Sequence, residues 1–532
     1  MSAHRLPFDC SRAFSAFLIP ALVFTVALLT ASCGSGSPTT QPQPPQFSRN
    51  TSVTIVLSSA ANAQITDFQV GLQSLTLTNQ AGKSVTLLSS PQSSEFMHVN
   101  GTLDVLGTAS VPQGIYTSAT AVLNGAQFTC VTSTPASSQA GASLDTSEFA
   151  GGNADSPVSI DLASPITITG DSMGLVFNLQ VSQSASYSSC YPEGTSSITP
   201  SFSLAPMTIV NQPTNSGNGK VLGLEGTVAS TNSGSNGLTL SISDAPFSAR
   251  TISVTTSGTT VFQGISGVSV LSTGMFVNMD GALQGDGTLL ATRIAVEDTS
   301  AGNLLSGPVL EVASGVSDLI AYGRLAQGNE AQYVYGSPIY NFGSAVFQIS
   351  GQLANLQDLP FTPAFNDSSM VPGQNVDITS QALVLTGGVY TPATTITLIP
   401  QTINAEVVSS STSGSFAVYS VSLAPYDLFP TLAVLAGQNV ALNSPSEIEV
   451  YVDSNTQMLN SQTLSGGGTF RFYGLVFDDN GTLRMDCAQV SDGVPFTPPA
   501  SSSQARIGAG PETRSVAIGG LVPIIKANIP QP

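Results

Sequence analysis

The chain has 532 residues, 41% of them apolar and only 8% charged, with a formal net charge of −19. That length and apolar content allow several buried cores and exclude general disorder. Thirteen basic residues stand against 32 acidic ones and form no cluster, which excludes nucleic-acid binding and charge-driven adhesion to anionic lipid, since both need Lys and Arg against phosphate. Charged residues fall far below the roughly 25% of ordinary domains, so Ser, Thr, Asn and Gln must supply much of the polar surface.

The first segment reads as a targeting signal. Arg5 and Arg12 precede an uncharged apolar run from Phe14 to Leu29, and small residues Thr30-Ala31-Ser32 lead to Cys33. Basic, apolar and small segments in that order define a secretory signal. An uncleaved membrane helix is the alternative, but the run is short of ~20 residues and Pro20 interrupts it. Leu29-Thr30-Ala31-Ser32-Cys33 resembles the lipobox of bacterial lipoproteins. The resemblance implies removal of residues 1–32, a lipid on Cys33, and export to the cell envelope. Thr30 departs from the Leu more usual in that family, and Gly34, where inner-membrane lipoproteins carry Asp, implies the outer membrane. With the anchor at Cys33, residues 33–50 form a Gly-, Ser- and Pro-rich linker. At about 3 Å per extended residue it could reach ~50 Å from the bilayer.

Strand periodicity follows almost throughout. Val53, Ile55 and Leu57 alternate with other residues; Phe68, Val70 and Leu72 do the same, and Leu75 and Leu77 shift the phase, which predicts a β-bulge. Leu175, Phe177, Leu179 and Val181 alternate cleanly. Fifty Gly and 33 Pro punctuate the strands, as in sandwiches and barrels. The expected fold is all-β: a β-sandwich-like domain at 51–211, then about three small β-barrel or β-sandwich repeats at 221–300, 301–400 and 401–493, and a tail at 494–532. Val516–Ile525 in that tail reads as a last strand, too short to span a bilayer.

In the first domain, Pro112 presets φ and Gly114 can take a positive φ, so a chain reversal is expected before a strand from Thr117 to Leu123. Pro112, Gly114 and Tyr116, with strands like Val53–Leu57 and Leu175–Val181, resemble an envelope family of unknown function (the DUF numbered four-three-eight-two). In the repeats, Asp286-Gly287 and Asn480-Gly481 predict tight two-residue hairpins. A fainter middle copy runs through Gly373-Gln374-Asn375-Val376, echoed by Gly437-Gln438-Asn439-Val440. Gly226-Thr227-Val228 and Gly287-Thr288-Leu289-Leu290-Ala291-Thr292-Arg293-Ile294 resemble a second family of unknown function (the DUF numbered five-six-six-six). Neither resemblance implies an activity.

Chemistry is sparse. Cys130 and Cys190 fall in one exported domain and are a possible disulfide, with two buried thiols as the alternative, while Cys487 is left as a small core residue. His98, the one histidine of the mature chain, has no Ser or Cys motif to serve. No catalytic residue, metal site or cofactor is expected. Asp453-Ser454-Asn455 begins like a calcium loop, but Met458 stands where that loop needs Gly. Asp478, Asp479 and Asp486 read as hairpin flanks rather than a glycosidase pair. Tyr333, Tyr335 and Tyr340 are possible binding residues if exposed and core if buried. The expected function is a lipid-anchored, non-enzymatic envelope scaffold whose partners are the membrane, through Cys33, and an envelope polysaccharide or protein. The alternatives are a polysaccharide-binding array and, behind it, a carboxylate-dependent hydrolase, which would need a cleft holding close acidic residues of unequal pKa.

Overall fold

The computed structural model describes residues 49–493, apart from stretches such as 135–140, 149–154, 188–195, 210–218, 382–389 and 434–440 and several shorter ones, and residues 514–517. Among the described residues the only α-helices are Val181–Ser184 and Leu428–Leu432. Cys33 and Cys190 lie outside the described residues, as does the side chain of Cys130. Of the tail strand expected at 516–525, Arg514–Ala517 is described, paired antiparallel with Gly141–Glu148.

The first domain is a sandwich of two sheets. One sheet has four strands in the order Phe202–Met207, Ser172–Gln180, Asn50–Ala60, Asp104–Pro112. The other is built around Ile65–Asn79 and Gly114–Thr134, which pair antiparallel along most of their length. Phe68, Leu72, Phe128 and Phe177 fill the space between them. The phase shift in Ile65–Asn79 is a bulge: the register slips between Leu72 and Ser74. The extra residue turns Leu75 and Leu77 back to the core face, and both are fully buried.

Two expectations for this domain change. Gly114 does not take a positive φ. The chain does not reverse there; it crosses from the four-stranded sheet to the larger one. Tyr116 holds the crossing, because its buried ring lets the hydroxyl donate to the Pro112 carbonyl at 2.8 Å. A tyrosine fixing a sheet-to-sheet corner in this way is known from immunoglobulin-like sandwiches. The alternation of Val53, Ile55 and Leu57 also shows only half of the burial. Val56, on the opposite face, is fully buried against Val221, Met279 and Leu283 of the next unit. The small sheet is covered on both faces.

Three barrels follow. In the first, strands Lys220–Asn232, Gly237–Ile242, Arg250–Thr255, Phe276–Leu283 and Leu289–Glu297 run in spatial order one-two-three-five-four-one. A parallel pairing of strands three and five closes the barrel. This is the Greek-key order of the OB-fold. The last barrel repeats it with Gln401–Ser413, Phe416–Leu423, Glu447–Val452, Thr469–Asp479 and Thr482–Asp492, again closed by a parallel pair. The middle barrel uses Asn303–Ala313, Val316–Leu319, Ile339–Asn341, Asn375–Ser380 and Tyr390–Leu398 in the same order. An additional hairpin, Tyr322–Gln327 with Glu330–Tyr335, lies beside the first half of its first strand. That insertion explains why the middle copy is faint in sequence.

The two predicted hairpins differ. Asn480 and Gly481 both have positive φ, 53° and 86°, between the paired Asp479 and Thr482. That is the tight two-residue turn. At Asp286-Gly287 only Gly287 is positive, at 85°. Gln284 N–H donates to the Thr288 carbonyl, so three residues form the loop. Asp286 caps it, accepting from Thr288 N–H at 2.9 Å. The carboxylate stabilises the wider loop, with glycine in the left-handed position that such loops require.

The four units touch in a cycle. Arg250 Nε of the first barrel donates to the Val105 carbonyl of the sandwich at 2.9 Å. Gln263 Nε2 of the first barrel donates to the Gly351 carbonyl of the second at 2.8 Å. Gln374, fully buried, donates from the second to the Val476 carbonyl of the third at 2.8 Å. Thr402 Oγ1 of the third returns to the Asn100 carbonyl of the sandwich at 2.6 Å. Arg471 and Gln489 add bonds to the Ser59 and Gly101 carbonyls.

Candidate functional site

Where these four units meet they form an open-mouthed cavity of about 430 Å³. The first two barrels contribute strand one, strand four, the end of strand five and a segment ahead of strand four, Gln263-Gly264 in one and Gln348–Gln352 in the other; the third contributes the start of strand one, Tyr473 of strand four and Asp427-Leu428. The repeated fold therefore presents the same side to the centre more than once.

The first barrel builds one wall. Asp280 and Arg293 face each other across strands four and five. Arg293 Nε donates to Asp280 Oδ2 at 2.6 Å, and both side chains are almost fully buried. The other Arg293 nitrogens go to Gln263 Oε1, at 3.3 Å, and to Asn278 Oδ1. Asp280 Oδ1 takes Gly223 N–H at 2.7 Å. Gly223 reaches it because the register slips between Val221 and Leu224 and the backbone turns to φ 65°. Gln352 Nε2 of the second barrel donates to the same Asp280 oxygen at 3.0 Å and to Tyr473 Oη of the third barrel at 3.0 Å. One amide thus ties three barrels together. Burial, with the Asp280 charge, pushes the Tyr473 hydroxyl up, so it stays protonated.

Three carboxyl groups line the cavity where the first two barrels meet. Glu225 sits on strand one of the first barrel, beside Asn278, which donates to it at 3.4 Å. Glu297 ends strand five of that barrel. Asp377 lies on strand four of the second barrel and accepts from its cross-strand neighbour Ser306. Burial, reinforced by Glu225 and opposed by Arg293, pushes Glu297 up to about 7. Burial, then Glu297 and Glu225, raise Asp377 well above the usual carboxylate range. Asp427, also on the wall, caps Leu428–Leu432 and is pushed up by burial to about 7.

The sandwich supplies the remaining wall through Glu95 and His98. Glu95 is 2% exposed and accepts three backbone N–H groups, from Phe68, Met97 and His98. His98 Nδ1 lies 3.1 Å from Glu95 and Nε2 lies 3.3 Å from Asp104. Burial works against the charged ring, but hydrogen bonds to Asp104 and Glu95 outweigh it and raise His98 to about 9. The histidine is a cation that ties the loop together, and Asp104 continues to Arg250 of the first barrel. His98, expected in a strand with no Ser or Cys motif to serve, stands instead in the turn after Gln92–Glu95; its carboxylates lie three residues before it and six after, a spacing that matches no catalytic pattern.

Residues 225–295 match the family described as a domain of unknown function (DUF5666). No curated protein matches the chain. The matched segment takes in strands four and five of the first barrel up to Ala295, with Asn278 and Arg293 of the cavity wall and Asp280, which Arg293 contacts.

The residues singled out in the sequence lie elsewhere. Tyr340 is fully buried in the core of the second barrel and presents no binding face. Tyr333 and Tyr335 lie on the inserted hairpin, and their side chains are outside the described residues. Cys487 is a buried free thiol packed in the third barrel, its titration pushed up by burial. Asp453 closes a tight turn, accepting from Asn455 N–H at 2.8 Å and Thr456 N–H at 3.1 Å. Asp478 caps its hairpin through Gly481 N–H at 2.8 Å, and Asp479 pairs with Arg484 at 3.0 Å. Burial, then the Asp453 charge, push Asp486 up to about 7. Among the described residues no three His, Cys, Asp or Glu side chains converge as a metal site.

Proposed function

We propose that this is a lipid-anchored, non-enzymatic protein of the bacterial cell envelope that binds a polar envelope ligand, of saccharide type, in its central cavity. The lipobox-like Leu29–Cys33 supports the anchor, and the linker to residue 50 supports a unit standing off the membrane. One observation carries the binding reading: four β-units converge on a single cavity walled by amide, carboxyl and guanidinium groups. Its volume lies within the roughly 300–1,000 Å³ of small-molecule sites. Fold supports binding only by analogy, since OB barrels carry saccharides and oligonucleotides alike; the charge of −19 speaks against the second.

Thermal shifts of the full chain against envelope polysaccharides and their oligosaccharides, with and without calcium, test this reading. Native-state binding raises the melting temperature with concentration. A flat response across the panel removes the cavity from consideration and leaves a structural scaffold.

A second reading has its own support. Glu297 and Asp377 share the cavity wall, both raised chiefly by burial, and two carboxyl groups in one cavity are what a carboxylate-dependent hydrolase would draw on. Turnover of chromogenic glycosides, lost in Glu297→Gln and Asp377→Asn, would establish it.

A further inference from the structure

Two carboxyl groups on the cavity wall are short of hydrogen-bond donors. Asp377 is 6% exposed and accepts one hydrogen bond, from Ser306. An ionised carboxylate offers about four acceptor positions, and among the described residues nothing donates to the second oxygen of Asp377. Glu297, beside it on the wall, accepts no hydrogen bond from any described residue. Glu225 completes an acidic group spanning the junction of the first and second barrels. The nearest protein cation is committed: Arg293 uses Nε on Asp280, Nη1 on Gln263 and Nη2 on Asn278. A buried carboxylate in this position must hold a proton or find an external cation.

We infer that the cavity takes a small hydroxylated primary amine, an amino sugar in chemical class, with its ammonium group seated at Asp377 and Glu297. This rests on the proposed reading of the cavity as a ligand site. An ammonium group brings a positive charge and three donors, which matches carboxyl groups that lack donors of their own. A metal ion needs at least three converging ligands, which the described residues do not form. The rest of the wall selects the body of the ligand. Gln348, Ser350 and Thr397 supply amide and hydroxyl groups suited to sugar hydroxyls. An apolar amine would leave them unmatched, and that is costly in a confined site.

The test compares glucosamine with glucose, which differ in an ammonium against a hydroxyl, by titration calorimetry on the full chain near neutral pH. The inference expects glucosamine to bind roughly tenfold tighter or more, through charge-assisted hydrogen bonds. Asp377→Asn and Glu297→Gln, each checked for an unchanged fold by circular dichroism, should bring glucosamine down toward glucose. Equal affinity for the two sugars in the wild type overturns the ammonium seat while leaving the cavity a saccharide site. A glucosamine preference that survives in both variants overturns it too, because the amine then binds elsewhere. Silence toward both sugars overturns it as well, and silence toward the polysaccharide panel in addition removes the cavity reading on which it rests.

Discussion

Asp280→Asn is the substitution most informative about how the cavity is held. The side chain is 7% exposed, and every group aimed at it is a donor: Arg293 Nε, Gly223 N–H and Gln352 Nε2. A carboxylate accepts from all three. An asparagine has one amide nitrogen, and either orientation points N–H at another N–H. The variant therefore loses the charge pair and gains a donor–donor clash. Removing one partner of a buried ion pair costs about 3–5 kcal/mol. In a unit melting as 150–250 residues, that is roughly a 6–20 °C fall in midpoint. Calorimetric melting reads the midpoint, and hydrogen exchange at Gly223 and Gln352 reads whether the loss is local. A double-mutant cycle with Arg293→Met isolates the pair, and its coupling should be about 2 kcal/mol or more. A midpoint within about 2 °C of wild type, or no coupling, refutes this account of the three-barrel junction.

Further expectations can be checked separately. A carboxyl raised in the folded state keeps its proton longer than in the unfolded chain, so Glu297, at about 7 against an ordinary 4.5, makes stability fall as pH rises between those values. Glu297→Gln should flatten that slope and raise stability above pH 7 by about 2 kcal/mol, read from melting at a series of pH values; a variant that tracks wild type contradicts the cause given. His98 acts in the same direction further up: its contribution is complete below 6.5 and lost as pH rises through about 9, so His98→Gln should narrow the difference between neutral and alkaline melting. Tyr116→Phe removes the bond to the Pro112 carbonyl and should lower stability by about 1 kcal/mol in denaturant titration. Gly373→Ala should cost about 1–3 kcal/mol, since φ is 96° and a Cβ would stand 2.8 Å from the Phe429 ring. Cys33→Ala should yield an uncleaved or soluble form on fractionation, and mass spectrometry of the wild type should find an acylated Cys33.

What the sequence made legible follows from where the physics is local. Strand alternation exposed the sandwich and barrel strands because one face of each meets a core, and the phase break at Leu72–Leu75 located a true bulge. Asn480-Gly481 declared its turn because both positions need left-handed backbone. Asp286-Gly287 misled because the same pair also closes a three-residue loop when its carboxylate caps the turn. Val56 was hidden because periodicity reports burial within one sheet pair, not a second unit packed on the outer face. The cavity was hidden for a deeper reason. Glu225, Glu297, Asp377 and Tyr473 come from strands of three barrels and share no motif spacing. Arg293 stood inside the quoted repeat segment, and its scarcity was the available clue: in a chain with 13 basic residues, an arginine set among buried strand positions calls for an acidic partner.

The central claim is that the shared cavity is a ligand site, and melting of wild type and Asp377→Asn against envelope saccharides tests it most directly. The account predicts a concentration-dependent rise in the wild type that is lost or sharply reduced in the variant. No rise in the wild type, or an equal rise in both proteins, would contradict it.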